Sequence, residues 1–449
     1  MRDDQMPPNY AIVVARCLAA QRALTGEDPD DWPEFLDRAG ALFETSTGWI
    51  DDGPGALRHF DIYSPDMYLF AEPLAGDLGP AWSDGLGALL GDLDDLVQPG
   101  GAVVWGRSIG ALALAMTIEL AAVAARPDVH ALPHPWFERA DHARRELRSD
   151  WFDRGLVEAH RHRSTMFYRG PERRLQMTLD IVGKLLGAST ELHRHEPPVD
   201  GTGVGPTAYG RVDRFVDCES AGSAGVWSHR SPHLTVAIPV MFGWSTDYLP
   251  TPRSPGTFEV PTSGPPCFVP TLHQGTTPLV PAGEAASAES SPGRLHLVHE
   301  GWAPVGQGPD GPGAFGGRRD ATHRVEGRRL VVEEVLRLDE PAAIDAVSVS
   351  VPETEGHALD VHAEVEADGE TVPVPVRTVT TDGIAEWRSF WSSLVRVHQV
   401  DLAPAAEVRM RWSVTPQVRV ADTILGHPYS DELYRPLAGR LVRRAAPPP

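Results

Sequence analysis

The chain has 449 residues, of which 41% are hydrophobic and 23% charged, with a net charge of −22. That surplus of acid argues against a general nucleic-acid binder, which needs a positive surface for phosphate. No apolar run reaches the length of a membrane span, and three widely spaced cysteines (Cys17, Cys218 and Cys267) form neither a disulfide framework nor a zinc motif.

The first residues carry two acids and two prolines before a helix interrupted by Arg16, which is not a signal peptide, so a cytoplasmic location is expected. The first 200 residues read as helical. Apolar spacing predicts helices over 10–24, 31–44, 83–96, 108–125 and 171–187, with a further start at Ser64-Pro65-Asp66. In the last long helix, Leu175, Met177, Leu179, Ile181, Val182, Leu185 and Leu186 are expected to supply the core side. Short helices with long connections fit paired helices stacked around a ring better than a four-helix bundle.

Beyond about Pro206 the period changes to that of strands, at 234–240, 330–338, 346–351, 359–365, 371–379, 395–402 and 407–414. Segments 250–292 and 304–317 read as loops rich in Pro, Gly and Ser. The expected fold class is therefore α+β and multidomain: a helical domain over 1–200 and an antiparallel β-sheet domain over 201–449.

Chemistry-bearing residues concentrate in GWIDDGPGALRHFDIYSPDMYLF, Gly48 to Phe70, with Trp49, Asp51, Asp52, His59, Asp61, Tyr63 and Tyr68. A histidine followed by tyrosines before a helix start can serve proton transfer, since histidine titrates near neutrality and cations lower a tyrosine's pKa. The alternative is a loop whose aromatic side chains pack down and whose histidine caps a helix. Further on, Gly106-Arg107-Ser108 turns into an apolar helix. Glu158 to Arg174 is the most basic patch, with His160, His162 and Arg163; no third ligand stands at metal spacing, and arginine forks there would bind an anion. Trp227 to Arg230 is expected to overhang a cleft. Neither a GxSxG nor a P-loop occurs, which argues against serine hydrolases and NTPases.

The order Trp49, Asp52-Gly53, His59, Tyr68 resembles the active-site stretch of the polysaccharide lyase family that includes hyaluronate, chondroitin AC and xanthan lyases, with its histidine nine residues before its tyrosine. Asn9, fifty residues before His59, falls where that family places an asparagine at a helix start, and Arg107 falls in a similar Gly-Arg-Ser turn; Ala111 stands where the family has a second arginine. The segments also resemble an uncharacterised bacterial family of heparinase-like toroid proteins. The resemblance implies an incomplete (α/α) toroid followed by an antiparallel β-sandwich. It implies β-elimination on a uronic-acid-containing glycan, with no cofactor and no metal. Asn9 would bind the substrate carboxylate, His59 or Tyr68 would take the C5 proton, Tyr68 would protonate the leaving oxygen, and Arg107 would hold negative charge. Trp49, Trp105, Tyr63, His160, His162 and Arg163 would bind sugar. Which tyrosine acts is open between Tyr63 and Tyr68. The rival readings are a glycoside hydrolase using two of Asp51, Asp52, Asp61 and Asp66, and a non-catalytic glycan-binding relative. The expected partner is an anionic poly- or oligosaccharide.

Overall fold

The computed structural model describes residues 8–45, 47–51, 60, 63–96, 111–129, 133–150, 152–153, 155–157, 171–194, 211–219, 224–231, 234–240, 269–282, 285–304, 311–339, 341–352, 359–367, 369–380 and 394–416. Helices come first: α1 (Pro8–Thr25), α2 (Trp32–Ala41), α3 (Tyr63–Ala71), a 3₁₀ turn (Glu72–Leu74), α4 (Ala75–Leu78), α5 (Pro80–Leu96), α6 (Ala111–Ala124), α7 (Pro133–Asp150) and α8 (Pro171–Arg194). Four of them, α1, α5, α7 and α8, begin on proline. The ring presets helical φ, and the missing N–H is one that the first turn leaves unbonded anyway. Helix α7 was not expected from the apolar spacing.

Helix α6 is apolar all round, and every described side chain in it except Glu119 is buried, as such a helix requires. It packs against α3, α7 and α8. Helix α5 buries Leu86, Leu89, Leu90, Leu93 and Leu96 on one stripe.

In α8 the outcome differs from the expected core side. Met177, Ile181, Lys184 and Ala188 face inward, whereas Leu175, Leu179, Val182 and Leu186 are exposed. Both stripes have helical spacing, and the inward one carries the only lysine of the chain. That lysine is held by Asp66 and Glu119, so ion pairing decides which face is buried.

Two short strands, β1 (Phe152–Asp153) and β2 (Leu156–Val157), precede α8. A three-stranded antiparallel sheet follows it: β3 (Val212–Asp217), β4 (Gly225–Arg230) and β5 (Thr235–Val240). The rest is one continuous, curled antiparallel sheet of twelve strands among the described residues. Its members are β6 (Pro270–Gln274), β7 (Thr277–Pro281), β8 (Ala285–Ser291), β9 (Arg294–Pro304), β10 (Phe315–Glu326), β11 (Arg329–Leu338), β12 (Ile344–Pro352), β13 (Leu359–Ala367), β14 (Glu370–Pro373), β15 (Val376–Thr380), β16 (Leu394–Ala405) and β17 (Glu407–Pro416). The spatial order is β14-β13-β17-β11-β10-β9-β7-β6-β12-β16-β15, with β8 also on β9. Strands β6 to β8 occupy part of the segment expected as loop. Their Pro, Gly and Ser content hides a period that cross-strand pairing supplies.

Strand β11 buries Leu330, Val332, Leu336 and Leu338 on one face, with Glu334 in register among them. That carboxylate is tolerated because Arg319 donates both fork nitrogens to it, at 3.2 and 3.1 Å, and Trp412 donates its indole N–H at 3.0 Å.

The helical and strand segments are joined at the C-terminal end of α5. Arg214 of β3 reaches Asp92 at 2.9 Å and Asp95 at 2.5 Å. Arg139 of α7 pairs with Asp94 at 2.7 Å. Arg230 of β4 donates to the carbonyls of Asp94 and Asp95 at 3.4 and 3.5 Å. Guanidinium groups at a helix C-terminus complement its exposed carbonyls and its dipole. Trp227 to Arg230 are therefore strand residues packed onto α5, with Trp227 and Arg230 buried, rather than an overhang above a cleft.

Candidate functional site

Among the expected site residues, Asn9, Trp49, Tyr63 and Tyr68 lie in described segments. His59, Trp105, Arg107, His160, His162 and Arg163 lie outside the described residues.

Asn9 stands in the first turn of α1 and is half-buried; its Oδ1 is shielded from solvent and accepts no hydrogen bond among the described residues. Helix α1 packs along α3, which carries both tyrosines. Tyr63 opens α3 and is half-buried. Tyr68, one and a half turns on, is fully buried, its ring 4.9 Å from that of Phe43 at 60°. Its hydroxyl faces Thr45 without reaching an ordinary hydrogen bond, and Gly85 of α5 leaves it room. Burial pushes the Tyr68 phenol well above its ordinary value, with Thr45 offsetting part of the rise. The phenol is thus harder to ionise than a solvated tyrosine. Contact between Tyr68 and a sugar requires its cover to open, and of the two tyrosines Tyr63 is the accessible one.

Trp49 is also a core residue, 1% exposed, and its indole N–H donates to Asp92 Oδ2 at 3.0 Å. Gly48 precedes it at φ +80, a conformation that favours glycine, and lies directly against the backbone of Gly85 and Leu89, where a Cβ would collide. Ile50 exchanges hydrogen bonds with Ser64, whose Oγ accepts from Ile50 N at 3.2 Å and donates to Ile50 O at 2.8 Å. The segment 48–50 is thereby pinned between α3 and α5, and this fixes the start of the stretch that leads to His59.

A second group was not singled out from the sequence. A pocket of about 410 Å³ opens between α1, α3, α6 and α8, lined by Arg16, Glu72, Glu119, Asp180, Lys184 and Glu191 among others. Lys184 Nζ lies 2.7 Å from Asp66 Oδ1 and 3.3 Å from Glu119 Oε2. Burial alone would depress the Lys184 ammonium, but Asp66, Glu119 and Asp180 hold it above its usual value. Burial raises Glu119 to about 7; Lys184 opposes that rise, while Asp66 and Asp180 add to it. The available signal was a lone lysine inside an otherwise apolar helical stretch. Cys17 is exposed, and Cys218 is buried, its thiol pushed up by burial and by Asp92 and Asp217.

No protein-family model matches the chain, and no curated protein matches it in sequence. Among solved structures it is similar to the chondroitin AC lyase of Streptomyces coelicolor A3 in complex with chondroitin sulphate, at 13% identity and a TM-score of 0.46, over 95% of this chain and 62% of that one. It is also similar to the heparan sulfate lyase HepC of Pedobacter heparinus (10%, TM-score 0.30, 91% and 68%). A third is the 4-alpha-glucanotransferase of Thermococcus litoralis (9%, TM-score 0.35, 68% and 49%). This chain thus spans about half of the glucanotransferase and under two thirds of the chondroitin AC lyase. No described helix is long and apolar enough to cross a membrane.

Proposed function

We propose that the chain is a carbohydrate-active enzyme that cleaves uronic-acid-containing poly- or oligosaccharides by β-elimination on an incomplete (α/α) toroid. The observation that carries the reading is the ordered set Asn9, His59, Tyr68 and Arg107, with Trp49 and Asp52-Gly53 ahead of the histidine. Asn9 in the first turn of α1 and the tyrosines of the adjoining α3 support it.

In the proposed reaction the side-chain N–H of Asn9 donates to the uronate carboxylate and so acidifies the C5 proton. His59 removes that proton. A tyrosine then delivers its own proton to the glycosidic oxygen as the C4–O bond breaks and the C4–C5 double bond forms. A phenol held protonated suits the second role better than the first. Arg107 holds the negative charge that develops.

The test is ultraviolet absorbance during incubation with a panel of uronic-acid oligosaccharides, because only elimination leaves a conjugated 4,5-double bond. Wild type is expected to show a rise that His59→Ala loses, and Tyr63→Phe compared with Tyr68→Phe assigns the acid. New reducing ends without the absorbance would place the chain with hydrolases. Binding of the panel without cleavage would make it a glycan-binding relative.

A further inference from the structure

The Asp66–Lys184–Glu119 cluster takes no part in that chemistry. It joins three helices: Asp66 from α3, Glu119 from α6 and Lys184 from α8. Two carboxylates share one ammonium, and Lys184 is 7% exposed. Asp66 makes the close hydrogen bond at 2.7 Å. Glu119 Oε2 stays in ion-pair range at 3.3 Å, buried and not aligned as a hydrogen bond. With both acids ionised, the cluster holds one uncompensated negative charge away from water, and burial penalises that charge heavily.

The surroundings do not relieve it. Asp180 and Glu191 of α8 and Glu72 of the 3₁₀ turn add negative charge around the same pocket, and among the described residues Arg16 of α1 is the other base that lines it. Glu72 is itself engaged by Arg126. Helix α8 is attached by one inward stripe, since Leu175, Leu179, Val182 and Leu186 are exposed.

We propose that Asp66, Lys184 and Glu119 form a proton-operated latch, which holds α8 on α3 and α6 while Glu119 is protonated and loosens α8 when the proton leaves. With Glu119 neutral, one ammonium balances one carboxylate. With Glu119 charged, the surplus is relieved by letting water reach the cluster from the pocket. The sign follows from linkage. Glu119 holds its proton up to about 7 in the closed state, against an ordinary value of 4.5. The latch therefore contributes fully below 4.5 and is lost as pH rises through 7.

Amide hydrogen exchange on the full chain tests it, at pH 6 and pH 8 with intrinsic rates corrected. Opening of α8 is expected to be about tenfold more frequent at pH 8, the ratio linkage gives for those two pKa values, while α5 stays unchanged. Glu119→Gln is expected to abolish the difference. Asp180→Asn, at an exposed position, removes a charge that raises Glu119 and is expected to move the midpoint of the pH dependence to lower pH and to shrink its amplitude. Exchange in α8 that is flat with pH in wild type, or that moves together with α5, would overturn the latch whether or not the glutamine variant folds. So would a folded Glu119→Gln that keeps the wild-type pH dependence.

Discussion

The indole N–H of Trp49 and the guanidinium of Arg214 converge on one carboxylate, that of Asp92, at 3.0 and 2.9 Å. A side chain from the start of the candidate site and one from the three-stranded sheet thus share an anchor on α5. Trp49→Phe keeps most of the apolar volume and removes one of the two donors. It is expected to lower unfolding stability by about 1–2 kcal/mol, the cost of one lost buried hydrogen bond, read as a lower urea midpoint at unchanged slope. Asp92→Ala removes both contacts and is expected to cost more.

Gly85 lies where a Cβ would collide with the Tyr68 hydroxyl. In an open helix Gly→Ala stabilises by about 1 kcal/mol. Here Gly85→Ala is expected to destabilise by about 1–3 kcal/mol through overpacking. Tyr68→Phe in the same chain removes the colliding atom and is expected to restore most of the loss. A double-mutant cycle by thermal or urea unfolding checks it, and additive single effects would show that the contact is not the cause.

Lys184→Met is expected to destabilise by about 3–5 kcal/mol, because it leaves Asp66 and Glu119 buried together without their cation. Lys184→Met with Asp66→Asn and Glu119→Gln removes the charges together and is expected to recover a large part. Urea unfolding followed by helix circular dichroism separates the two. Equal losses in the single and triple variants would assign Lys184 a packing role only.

The large sheet should respond to acid. Burial, then the charge of Arg319, holds His299 down to about 3 and His323 well below its ordinary value. The unfolded chain takes up these protons near 6.5 and the folded chain does not. This contribution is complete above 6.5 and is lost as pH falls below it. The urea midpoint is expected to drop between pH 7 and pH 5, and His299→Gln to shallow that slope. In Glu119→Gln, which removes the opposing contribution of that carboxyl, a midpoint constant over this range would contradict the burial of neutral histidines. Glu119 pulls the other way, so helices and sheet favour opposite sides of neutrality.

The order of helices then strands was legible in the sequence, because the apolar period switches from that of a helix to that of a strand near residue 206. The segment 371–379 read as one strand, but it is divided into β14 and β15 around Val374-Pro375, where proline cannot donate to a ladder. The inward face of α8 was not legible. Leucine at 175, 179 and 186 promises more burial than a stripe containing lysine, and only the carboxylates of α3 and α6, 118 positions and 65 positions away, reverse the choice. The motif residues Asn9, Trp49 and Tyr68 could be read as an ordered set, whereas the burial of Trp49 and Tyr68 depends on Gly48 and Gly85, which local pattern does not reveal.

The acid-rich end of α5 has a consequence for the order in which the chain acquires its structure. Asp92, Asp94 and Asp95 leave the ribosome as a concentrated negative tip, while Arg214, Ser228 and Arg230, which engage that tip, follow 119 to 136 positions later. Contacts so distant in sequence form late. During synthesis Arg139 can answer Asp94 first, 45 positions on, while Asp92 and Asp95 wait for Arg214, and a chain stopped short of β3 would carry those two carboxylates without the guanidinium that pairs them.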